Sequence, residues 1–63
     1  MNLYIVRFIR KDGKPNEEYY YPLIEQAEEH FFLFLNDDSE LYSRIELLDD
    51  SGSVIREKVF PVV

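Results

Sequence analysis

A chain of 63 residues makes one small domain, and at that length folding buries only about 60% of the surface the unfolded chain exposes. It has no cysteine and one histidine, His30, which excludes disulfides, thiolate zinc sites, cysteine nucleophiles and any site built from two imidazoles. Seven Lys and Arg against thirteen Asp and Glu give a formal charge of −6, which repels nucleic acid and anionic membrane and favours a cationic partner or simple solubility.

Residues 3–10, LYIVRFIR, are β-branched and aromatic and apolar on both alternating faces. Tyr4, Val6 and Phe8 lie on one face and Leu3, Ile5 and Ile9 on the other, the pattern of a central strand. Asp12-Gly13 marks a turn, because glycine takes positive φ at little cost, and Pro15-Asn16 lengthens the loop. Residues 17–21, EEYYY, supply the hairpin partner. Pro22 ends that strand by lacking a ladder donor and suits the first position of a helix.

From Leu23 the period becomes helical. Leu23, Ile24, Ala27, Phe31, Phe34 and Leu35 fall within one stripe of roughly 120°, which predicts an amphipathic helix lying on a sheet. Glu25, Glu28 and Glu29 fall outside it, with Glu25 placed to favour the helix dipole. Asn36-Asp37-Asp38 is the expected stop, since acids at a helix C-terminus oppose the dipole. Residues 42–48 form a third strand with Ile45 and Leu47 inward. Residues 49–53 form a second hairpin turn, and 54–60 a fourth strand.

The expected architecture is α+β with the order ββαββ, one helix packed on a four-stranded sheet, in a single domain over residues 1–63. This order and size resemble the β-grasp arrangement of immunoglobulin-binding bacterial domains and ubiquitin-like proteins. The resemblance implies that the first and last strands pair in parallel at the centre while the helix crosses one face. It rests on element order and size and implies no function. The right-handed crossover preference and the two-sided apolar first strand favour this β-grasp-like form. The alternative is a purely antiparallel four-stranded sheet with the same helix, and Val54, Arg56 and Lys58 give the last strand the character of an edge.

Candidate chemistry is sparse. The acids at 36–40 and 49–50 lack the alternate spacing and central glycine of a calcium loop and read as a helix stop and a hairpin turn, so no metal and no cofactor is expected. Ser39, Ser43, Ser51 and Ser53 sit beside acids and away from His30, so no nucleophilic triad forms, and the chain is not expected to be an enzyme. His30 has the titration range of a pH switch but is expected to be a boundary residue with a solvated ring. The tyrosines at 19–21 are interleaved with acid, which suits strand positions alternating between core and solvent better than a stacking platform for bases. Arg7, Arg10, Arg44, Arg56 and Lys58 lie on strands. They either share a basic sheet face away from the helix or, as expected here, pair across strands with Glu46 and Glu57.

Phe32 and Leu33 remain. On the helical wheel Phe32 lies about 80° and Leu33 about 180° from the centre of the buried stripe, so the two cannot both reach the sheet. With Glu29 at the rim and Glu25 and Asn36 nearby, they form an apolar ridge with a polar border, as interfaces do. The expected function is a small acidic protein-interaction module whose partner is a protein, self or other, most simply a homodimer. The alternative is an acidic regulator, or nucleic-acid mimic, that binds a basic partner protein. No direct binding to nucleic acid or membrane is expected. MNLYIV lacks the basic region and cleavage site of a signal peptide, so the chain is expected to be cytoplasmic and complete from Met1.

Overall fold

The computed structural model describes residues 3–34 and 41–60. The elements run β1 (Tyr4–Arg10), β2 (Glu17–Tyr21), α1 (Ile24–Phe32), β3 (Tyr42–Leu48) and β4 (Val54–Val59). The α+β class and the ββαββ order follow the expectation, with α1 packed on β1, β2 and β3.

The sheet has the order β2-β1-β3-β4, and every pairing is antiparallel. It is therefore the alternative arrangement, without the parallel first-to-last pairing of the β-grasp form. Side-chain character explains why. Ile45, Glu46, Leu47 and Leu48 are all buried, so β3 meets the demand of a central strand on both faces. A central β4 would have to desolvate Arg56, Glu57 and Lys58, which is costly for unpaired charges. β2 and β3 flank β1 and run parallel to one another, so α1 forms the crossover of a split βαβ unit. β1 is interior to the sheet, as its two apolar faces require.

Register sorts the side chains by face. Val6 opposes Tyr19 and Leu47, and Phe8 opposes Glu17 and Ile45. Val6, Phe8, Ile45 and Leu47 join Ala27, Phe31 and Phe60 as the core under α1. An irregularity between Ile9 and Arg10 brings Tyr42 opposite Arg10 and turns its ring onto Phe8, with centroids 5.1 Å apart. A second irregularity, at Leu47 and Leu48, sets Ile55 outside the ladder of β4.

α1 has nine residues, below the length at which an isolated helix is stable in water, so its packing on the sheet holds it. It begins one residue later than the stripe implied. Leu23 is the N-cap, extended at φ −120 and ψ 139, and is 55% exposed, so it is not part of the core stripe. Consequently Pro22 does not occupy the first helical position. The expected stop at 36–38, the stripe position Leu35 and the acidic cluster at 36–40 lie outside the described residues. Both hairpin glycines use the conformation predicted for a turn, Gly13 at φ +80 and Gly52 at φ +89.

Candidate protein-interaction surface

α1 turns Ala27 and Phe31 inward, and the helical period then fixes what points away. Glu25, Glu28, Glu29, Phe32 and Leu33 line one shallow open concavity on its outer flank. Phe32 is 42% exposed and Leu33 70% exposed. The sequence-predicted set of Phe32, Leu33 and Glu29 is therefore brought together on one surface at the C-terminal end of a short helix.

Phe32 is not bare. Its inner edge meets the buried Phe31 at 5.8 Å in a T-shaped contact, and the Arg56 guanidinium carbon lies 5.5 Å from its ring centroid. The backbone N–H of Phe34 donates to the Phe31 carbonyl, and Leu33 caps the helix with its own N–H donating to the Glu29 carbonyl. Its side chain is thus presented from a backbone already held by hydrogen bonds. Glu25, Glu28 and Glu29 make no ion pair among the described residues, and neither does Arg56. Glu28 follows from the i, i+4 spacing to Phe32. Arg56 is invisible locally, because only the placement of β4 at the edge brings it to the helix.

The basic strand residues do not share a face. Arg7 and Arg44 project away from α1, where Arg7 meets Glu18 at 2.8 Å and Glu46 at 3.6 Å, and Arg44 meets Glu46 at 3.5 Å. Arg10, Arg56 and Lys58 project on the helix side. The cross-strand pairing thus forms with Glu46, while Glu57 has no ion pair among the described residues.

Two polar clusters lie elsewhere. The Glu17 carboxylate accepts from Arg10 at 3.0 Å, from Tyr42 at 3.0 and 3.1 Å and from Tyr19 at 3.2 Å. The Arg10 hydrogen bond, then that of Tyr42, holds the carboxyl below its usual range, while burial and the same carboxylate push the Tyr42 hydroxyl up. Both groups move away from neutrality, so this cluster is suited to fastening β2 to β3 and not to moving protons at pH 7.

His30 departs from expectation in part. Its ring is half-buried among Phe8, Tyr19, Tyr21 and Phe34, at centroid distances of 5.3, 4.9, 5.7 and 5.8 Å, and a 2.7 Å hydrogen bond joins Nδ1 to the Tyr21 hydroxyl. His30 keeps its boundary position, but its ring is only partly solvated because β2 rises beside the helix and sets Tyr19 and Tyr21 against it. Burial lowers its pKa below 6.5.

Among the described residues, no group of three or more His, Asp or Glu is arranged to hold a metal ion, and no helix is long and apolar enough to cross a membrane. Compared with known proteins, the chain matches no family model, no curated protein and no solved structure.

Proposed function

We propose that the protein is a small acidic interaction module that associates with a second copy of itself through the Phe32–Leu33 ridge, with Glu29 at the rim. The observation that carries this reading is the exposure of those two adjacent apolar side chains, 42% and 70%, on an element whose backbone is already fixed. Covering them removes apolar surface from water without first ordering a loop, so little of the gain is offset by conformational entropy. The patch is small beside a standard interface of roughly 800 Å² per partner, so the dimer is weak and forms at high micromolar concentration. A cytoplasmic setting suits a cysteine-free chain of this kind.

A dilution series followed by light scattering tests the proposal. A mass that rises with concentration supports it, and a constant monomer mass refutes it.

Glu25, Glu28 and Glu29, which make no ion pair among the described residues and lie along one flank of α1, support a second reading as an acidic regulator of a basic partner protein. Binding of that kind weakens steeply as salt is raised, whereas a contact centred on Phe32 and Leu33 persists.

A further inference from the structure

The ridge has a direction along α1 that a second copy must match. On its N-terminal side stand Glu25, Glu28 and Glu29, and beside its C-terminal end stands Arg56. Arg56 occupies that place because α1 packs on β1, β2 and β3 and, among the described residues, leaves the helix-side face of β4 uncovered. Lys58 projects from the same face and leans on Phe60 at 5.7 Å. Neither cation has an ion-pair partner among the described residues. Among the described residues the patch therefore has an apolar centre, acid without an ion-pair partner on one side and base without one on the other.

Two copies related by a two-fold axis bring the same patch against itself, with α1 helices either parallel or antiparallel. A parallel pair sets each acidic rim against its own copy in a chain that already carries a charge of −6. An antiparallel pair lays each rim along the partner's Phe32–Leu33 end and so beside the partner's Arg56. It also sets the two helix dipoles head to tail. Edge pairing of β4 with its own copy in the register centred on Glu57 is disfavoured, because it would oppose Arg56 to the partner's Lys58 and Glu57 to its own copy.

We infer that the protein forms an isologous dimer with antiparallel α1 helices, in which Arg56 of each protomer pairs with the partner's Glu29. This inference rests on the self-association proposed above.

The test uses charge reversal on the full chain, read by sedimentation equilibrium at low salt. Arg56→Glu alone and Glu29→Arg alone each put two like-charged contacts into a homodimer and weaken it roughly ten- to hundredfold. Mixing the two variants restores association to the wild-type level, because in the mixed dimer both contacts are again of opposite sign. Variants that dimerise like the wild type, or a mixture that stays monomeric, overturn the arrangement. If the reversals have no effect while Leu33→Lys still abolishes the dimer, the orientation falls and the ridge stands. If the wild-type chain never dimerises, both fall. Should a reversed variant not fold, Arg56→Gln and Glu29→Gln replace the pair. Each then weakens the dimer several-fold and the two together no more than either alone, and additive losses overturn the pairing.

Discussion

Leu33→Asp places a charge on the most exposed of the large apolar side chains among the described residues. Full burial of a leucine is worth about 1.5–3 kcal/mol, and with 70% of Leu33 still exposed the contact can gain about 1–2 kcal/mol per protomer. Two-fold symmetry doubles the loss to about 2–4 kcal/mol, which weakens the dissociation constant roughly 30- to 1,000-fold. The monomer changes little, since surface substitutions fall within about 0.5 kcal/mol. One correction applies because Leu33 caps α1: aspartate there opposes the helix dipole by about 0.3–1 kcal/mol. Leu33→Lys carries the opposite sign at that terminus and removes the same apolar contact. Both variants are therefore expected to abolish the dimer while their unfolding midpoints move in opposite directions. The assay is a concentration series by light scattering beside urea unfolding followed by circular dichroism. A dimer that survives both substitutions refutes the reasoning, and loss with aspartate alone assigns the effect to helix stability.

Phe8→Ala is expected to cost about 3–5 kcal/mol, because this ring is buried at the centre of the helix-facing core against Tyr19, His30, Phe34 and Tyr42. A domain of this size has about 3–9 kcal/mol in total, so the variant should lose at least a third of its stability, read as a large fall in the urea midpoint; an unchanged midpoint would contradict the assignment. Burial lowers the His30 pKa, so its contribution is intact above about pH 6.5 and lost as pH falls from there through the lowered folded value. Urea midpoints should fall between neutral and mildly acidic pH in the wild type and much less in His30→Phe; an equal fall in both contradicts the assignment. Gly52→Ala should destabilise by roughly 1 kcal/mol through strain at φ +89, since nothing stands within 4 Å of the added methyl group to clash with it. An unchanged urea midpoint would count against that.

Much of the fold is written locally. Alternation in β1, the two glycine turns and the Ala27–Phe31 stripe each follow from spacing of a few residues, and each forms where spacing puts it. Strand order was less legible. A two-sided apolar β1 indicates a central strand but does not choose its neighbours, and that choice was made by the charges of β4 against the buried run Ile45–Leu48 in β3. The first turn of the helix misled for a local reason, since Leu23 keeps helical spacing while its backbone is extended.

The candidate surface divides in the same way. Phe32, Leu33 and Glu29 follow from the wheel alone. Arg56, distant in sequence, reaches Phe32 only through the β3–β4 hairpin. The environment of His30 is likewise a product of register, because β1 and β2 pair Tyr4 with Tyr21 and Val6 with Tyr19 and so stack the tyrosine rings beside the helix. A single residue in the sequence does not announce such a neighbourhood.

Sedimentation equilibrium of the unaltered chain over a wide concentration range is the most direct test. The mass is expected to climb from 7.6 kDa toward twice that value as concentration enters the high micromolar range. A mass that stays at 7.6 kDa throughout would contradict self-association through Phe32 and Leu33.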